Sequence, residues 1–137
     1  MQNLAKFGCR FPVHNVGDPA AGARCRGAKK EKVLHTFAGV DGSIPRARLV
    51  FDKTGNLYST TRVGGDLSLC GGNGCGVVFE LTPNSNGGWT ETVTHRFLDH
   101  PGAVLKAGVI LDAAGNVYGT TSGDGSTTFG SVFEITP

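Results

Sequence analysis

Apolar residues in this chain recur at every second position in short bursts, not at the three-to-four spacing of a helix. Val33, His35 and Phe37 alternate with Leu34 and Thr36, which predicts a strand with valine, histidine and phenylalanine on one side. Leu49-Val50-Phe51 and Val109-Ile110-Leu111 are short apolar runs and predict strands buried on both faces. Each run leads into Asp-x-x-Gly-Asn. Asp52 suits the first position of a type I turn, where its carboxylate accepts a backbone N–H two residues on. Gly55 then takes the left-handed position that closes a hairpin before Asn56. Asp112, Gly115 and Asn116 restate that turn. Further strands are predicted over 57–61, 76–82 and 89–97, and again over 117–121 and 130–136.

These elements are two copies of one pattern. A shift of 60 residues aligns 31–61 with 91–121, with 12 identities in the 31 ungapped positions, among them His35/His95, Phe37/Phe97 and Tyr58/Tyr118. After a loop six residues shorter in the second copy, Gly76-x-Val-Phe-Glu-x-Thr-Pro recurs from Gly130. Four short antiparallel strands per unit, joined by turns, describe a propeller blade. The expected fold is therefore all-β, of β-propeller type: tandem four-stranded antiparallel repeats forming two blades of an incomplete ring. The expected organisation is a leader over 1–32, a first repeat over 33–92 and a second over 93–137, truncated before its final strand.

Composition supports this architecture. Glycine makes up 22 of 137 residues, against a usual share of about 7%, and it disfavours long helices. The formal charge of +2 hides an asymmetry: seven basic and two acidic side chains give residues 1–32 a balance of +5, leaving −3 on the rest. That basic leader lacks interleaved aromatics and RNA-binding signatures, so it reads as a disordered terminus and not as a nucleic-acid-binding arm. No apolar stretch reaches the roughly 18 residues of a membrane span, and no signal-peptide core is visible.

The segments Glu-Lys-Val-Leu-His-Thr-Phe-Ala-Gly, Asp-Lys-Thr-Gly-Asn-Leu-Tyr-Ser-Thr-Thr, Gly-Cys-Gly-Val-Val-Phe-Glu-Leu-Thr-Pro and Gly-Gly-Trp-Thr-Glu-Thr-Val resemble successive parts of the tandem repeat in the bacterial choice-of-anchor GloVer-containing proteins. The resemblance covers residues 31–137. It implies a secreted or cell-surface propeller-like protein of many such repeats, with no activity or catalytic residue to carry over. His35 and His95 stand where the family pattern holds tyrosine. Two repeats and a leader that fits no part of the pattern point to a fragment or a mis-started reading frame. Export bears on Cys70 and Cys75, which flank Gly71-Gly72-Asn73-Gly74. Glycines at this expected hairpin tip let the chain reverse within disulfide reach, and in an exported protein the bond is expected to form. Cys9 and Cys25, in the leader, are expected to be unpaired.

The remaining chemistry-bearing residues nominate no catalytic, cofactor or metal site. Symmetry places His35 and His95 in different blades, as strand histidines in aromatic slots, whereas a zinc site needs three or four converging ligands. His14 and His100 lie in loops. Asp52 with Asn56, and the Gly123-Asp124-Gly125-Ser126 loop, match no calcium motif and read as turn caps. Paired carboxylates cannot be chosen from Asp66, Glu91, Asp99 and Asp124 without their separations. Trp89, Tyr58 and Tyr118 are able to stack sugars, but repeated strand aromatics read as core. The expected function is a non-enzymatic binding or cell-surface scaffold module. Its expected partners are other copies of the repeat and an unidentified carbohydrate or protein ligand. The alternatives are a repeat-built hydrolase or lyase acting on a polysaccharide, or a non-functional remnant of a longer gene.

Overall fold

The computed structural model describes residues 29–98, 104–123 and 129–137. Cys9, His14, Cys25, Asp99, His100, Asp124, Gly125 and Ser126 lie outside the described residues, as does most of the leader. The chain divides into a unit Met1–Lys32 and a unit Val33–Pro137. The second unit is all-β and holds two antiparallel sheets. Strands β1 (Val50–Phe51), β2 (Leu57–Thr60), β3 (Val77–Pro83) and β4 (Trp89–Arg96) form the first. Strands β5 (Ile110–Leu111), β6 (Val117–Thr121) and β7 (Ser131–Ile135) form the second. In each sheet the spatial order follows chain order. Among the described residues, no helix is long and apolar enough to cross a membrane.

The two Asp-x-x-Gly-Asn turns set the registers of the first hairpins. Asp52 Oδ1 accepts the Thr54 and Asn56 amides at 2.8 and 2.9 Å, and Asp112 Oδ1 accepts those of Ala114 and Asn116 at 2.8 and 2.9 Å. Gly55 and Gly115 sit at φ 93° and 91°, the left-handed region open to glycine without a Cβ penalty. Val50 then pairs with Tyr58, and Ile110 with Tyr118. Further on, the amides of Val77 and Ser131 donate to Thr61 Oγ1 and Thr121 Oγ1 at 3.2 and 2.9 Å, and β3 and β7 start there.

Two apolar clusters hold the unit together. Leu57, Val77, Phe79 and Leu81 form one on the first sheet, covered by Leu34, Phe37, Trp89 and Val93. Cys75, Val78, Phe97, Leu105, Val109 and Val117 form the other, between the sheets, with Val50, Tyr58, Phe133 and Ile135 against it. Neighbouring residues of β3 serve different clusters because strand side chains alternate faces.

Four expectations are corrected. Segment 33–37 forms no strand; Leu34 and Phe37 instead pack on the first sheet's cluster. The strand expected to open the second unit is β4, which pairs with β3 in the first sheet, opposing Val93 to Phe79. The runs expected to be buried on both faces are partly open, with Leu49, Phe51 and Ile110 at 49, 64 and 68% exposure. These two-residue strands lie at sheet edges, where one neighbour is missing. The glycine-rich tip is no hairpin but a loop with a 3-10 turn, Cys70–Gly72, bent back onto Gly64 through Gly64 N–H to Asn73 O at 2.8 Å. The Cys70–Cys75 disulfide closes it, with Cα atoms 5.3 Å apart.

Candidate functional site

Three chemistry-bearing side chains that the sequence keeps apart converge on one side of the first sheet. His35 Nε2 lies 3.0 Å from Asp41 Oδ2, and Glu91 completes a trio whose potential ligand atoms all lie within 4.8 Å of one another. Each is positioned by a different local cause. Segment 33–37 is anchored by Phe37, whose ring packs edge-on against Phe79 at 5.0 Å and against His35 at 4.8 Å. Asp41 sits in a tight loop closed by reciprocal bonds between Gly39 and Gly42, and its Oδ1 accepts the Ala38 amide at 2.8 Å. Glu91 rides on β4 opposite Leu81.

The charges in this trio are unevenly compensated. Burial works against the Asp41 carboxylate, but the Ala38 amide and His35 outweigh it and hold its pKa below the usual value. Burial raises that of Glu91, with Asp41 adding to the rise and His35 and Arg96 opposing it. Among the described residues, buried Glu91 Oε1 has no hydrogen-bond partner. One imidazole and two carboxylates are a donor set for a divalent cation. Around such an ion, with bonds of about 2.1 Å, neighbouring ligand atoms stand roughly 3–3.5 Å apart, so the trio would have to draw inward to bind one. As it stands, it is a hydrogen-bonded histidine–aspartate pair beside a partly desolvated acid.

The counterpart of His35 keeps the same kind of aromatic neighbour but not the acid. His95 packs edge-on against Phe97 at 4.7 Å, and Pro101 stands where the first copy has Asp41. Burial lowers the His95 pKa. No signal from repetition could have found the trio, because Asp41 is an unmatched position and Glu91 aligns with Glu31, not with another member of the trio.

The other candidates are spent structurally or stand alone. Both turn carboxylates are consumed by backbone and asparagine donors. For Asp52 these outweigh desolvation and lower its pKa; for Asp112 the Asn116 side chain is the largest cause of the same shift. The two turns flank an open cleft of ≈ 560 Å³. Tyr58 and Tyr118 are half-buried, and Tyr58 packs against the cluster between the sheets. Burial and the Glu80 carboxylate push the Tyr58 hydroxyl up to about 12, and Tyr118 donates to Glu134 at 2.8 Å. Trp89 packs on the first sheet's cluster. Asp66 caps its own loop through Ser68.

Compared with known proteins, the chain matches no family model, no curated protein and no solved structure.

Proposed function

We propose that this chain is a binding or cell-surface scaffold module of the propeller type, two blades of an incomplete ring. It is exported, in keeping with the GloVer-like repeat it resembles, and does no chemistry of its own. One observation carries the reading: Val132 is 80% exposed while Val78, its match in the first sheet, is fully buried between the sheets. A strand position that is core in one sheet and bare in the other is what a continuing stack of sheets would leave. The Cys70–Cys75 disulfide is compatible with export, because such bonds persist in oxidising compartments.

Size-exclusion chromatography with light scattering tests the reading. Assemblies above the 14.2 kDa of one chain are expected. A sharp monomer peak with a cooperative thermal transition would overturn it, since the two sheets would then satisfy each other alone.

The second reading, a hydrolase or lyase acting on a polysaccharide, is favoured by the acid with raised pKa beside the His35–Asp41 pair, a combination suited to general acid catalysis. Release of reducing ends from a glycan panel, lost in Glu91→Gln, would establish it in place of the scaffold.

A further inference from the structure

The contact between the two sheets has two sides, and among the described residues each side has a second, sequence-equivalent copy that is open at least in part. In the first sheet, Val50, Tyr58 and Val78 face the second sheet, and Thr60 Oγ1 donates to Ala107 O at 2.9 Å. Against them pack Phe133 and Ile135 of β7, with Phe97, Leu105 and Val109 from the chain between β4 and β5. At offsets of 60 and 54 residues, the first group becomes Ile110, Tyr118, Val132 and Thr120. Those four line an apolar groove of ≈ 230 Å³ on the second sheet. The second group becomes Phe37, Pro45, Leu49, Phe79 and Leu81, which line a groove of ≈ 280 Å³ on the first sheet. Exposure separates the copies at Val78 and Val132, 0% and 80%, and at Val109 and Leu49, 6% and 49%, whereas Phe79 and Leu81 are already buried beneath Leu34, Phe37, Trp89 and Val93.

A third opening runs along β7. Among the described residues this strand pairs only with β6, and beside it lies a groove of ≈ 490 Å³ whose lining includes His95, Phe97, Phe133 and Ile135. On the first sheet, the same side of β3 carries β4. Segment 33–37 matches 93–97, the end of β4 with Phe97, in sequence, yet it joins no ladder, and its Val33 is 66% exposed.

We propose that the chain assembles head to tail with further copies of itself, and this rests on the propeller-type scaffold reading above. The face holding Ile110, Tyr118, Thr120 and Val132 stacks on the next copy's Phe37, Pro45 and Leu49. The next copy's segment 33–37 lies along β7 as its fourth strand. Every contact is a translation of one already made inside the chain. Thr120 donates to the neighbour's Ala47 carbonyl as Thr60 does to Ala107. Ser131 opposes the neighbour's Thr36, and Phe133 its Val33, as Val77 opposes Arg96 and Phe79 opposes Val93. Backbone pairing along the edge supplies affinity, and the covered apolar grooves supply the driving force. A second copy is the occupant because donor and acceptor surfaces lie on one sequence and already fit once. The contact is heterologous, so it propagates until it closes. With two sheets per copy and rings of about four to eight blades, closure takes two, three or four chains.

The test mixes unlabelled Thr36→Cys protein with 15N-labelled Ser131→Cys protein under mild oxidation, followed by mass spectrometry of unreduced peptides. Opposed residues of an antiparallel pair have Cα atoms about 4.5–5.5 Å apart, inside the roughly 4.4–6.8 Å window of a disulfide. A 36–131 link joining unlabelled to labelled chains is expected, absent when either variant is oxidised alone and reduced at least tenfold by adding Val132→Arg. Val132 is already exposed, so the added arginine leaves the monomer's fold intact, which circular dichroism checks. Assemblies seen by light scattering without the 36–131 link, or with either variant linking to itself through its new cysteine, would overturn head-to-tail stacking and leave the scaffold reading in place. Monomers throughout would overturn both.

Discussion

Replacing Gly76 by alanine should damage the fold far more than the same change at Gly55, although both glycines adopt nearly the same backbone conformation. Their φ angles are 92° and 93°, so each substitution meets a left-handed penalty of roughly 1–2 kcal/mol. Alanine also restricts the unfolded chain, which returns about 0.4–1 kcal/mol. At Gly55 nothing lies within 4 Å of the new Cβ, and the net cost is about 1 kcal/mol. At Gly76 the Cβ would run into the Thr61 carbonyl oxygen, with the Arg62 carbonyl oxygen 3.0 Å away. Both obstacles are backbone, so β3 must move at its first residue. That shift loosens Thr61 N–H to Val77 O at 2.9 Å, Gly76 N–H to Gly64 O at 3.0 Å and Phe97 N–H to Gly76 O at 3.1 Å, each worth about 1 kcal/mol net. It also dislodges Val77, which is fully buried. The total is roughly 3–5 kcal/mol. At about 4–8 °C per kcal/mol for a domain near 100 residues, Gly55→Ala should lower Tm by about 5 °C and Gly76→Ala by 12 °C or more. Urea unfolding followed by the single tryptophan, Trp89, gives the free energies directly. Protein concentration must be fixed, because association adds stability by mass action. Equal losses at the two positions, or a milder effect at Gly76, would refute the steric reasoning.

Two further outcomes are expected. Reducing the Cys70–Cys75 bond, which spans a sequence separation of 5, should cost about 2 kcal/mol from loop-closure entropy, read as a lower urea midpoint with and without reductant; an unchanged midpoint would show that the backbone bonds onto Gly64 hold the loop unaided. Stability should also depend on pH through groups of opposite sign: Asp52 and Asp112, with lowered pKa values, contribute above the usual carboxylate range and lose that contribution as pH falls through their folded values; His95, with a lowered one, likewise loses its contribution as pH falls through the usual imidazole range; and Glu91, with a raised one, stabilises the fold as pH falls through its own. Urea midpoints across pH 3–8 should therefore rise more, or fall less, toward neutrality in Glu91→Gln than in the parent; parallel curves would remove Glu91 from the account.

The turns were readable in the sequence because Asp52, Gly55 and Asn56 act on one another over four residues, and nothing distant can alter that. The positions of β2, β3, β6 and β7 followed from period two and from glycine punctuation. Sheet membership did not follow, since the alternation in β4 looks the same whether Val93 opposes Phe79 or a strand of the other sheet. Burial of the short runs was overestimated at Leu49, Phe51 and Ile110, because an apolar triplet carries no information about whether a second layer covers it. The sequence also argued against the conformations of Ile44 and Val104, whose φ values are 57° and 70°. β-branched residues are rarely left-handed, and these two are held there by tertiary bonds, Arg62 N–H to Ile44 O and Ser122 N–H to Val104 O at 3.2 and 3.0 Å. The trio of His35, Asp41 and Glu91 escaped for the same reason, being a product of packing between segments 50 residues apart.

Strand order that follows chain order in both sheets has a consequence in time. Every ladder joins a strand to its immediate predecessor, so none waits for a distant segment, and such local closures are the fast ones. A nascent chain that has emerged through Arg96 carries all four strands of the first sheet. The cluster between the sheets still needs Leu105, Val109 and Val117, and the end of β7 at Ile135 is 39 residues further on. At synthesis rates of about 5–20 residues per second, the first sheet stands complete for roughly two to eight seconds with Val78 bare. During that interval the molecule on the ribosome presents the face that its own second half will later cover, and a neighbouring polysome offers the same segment to it from another chain.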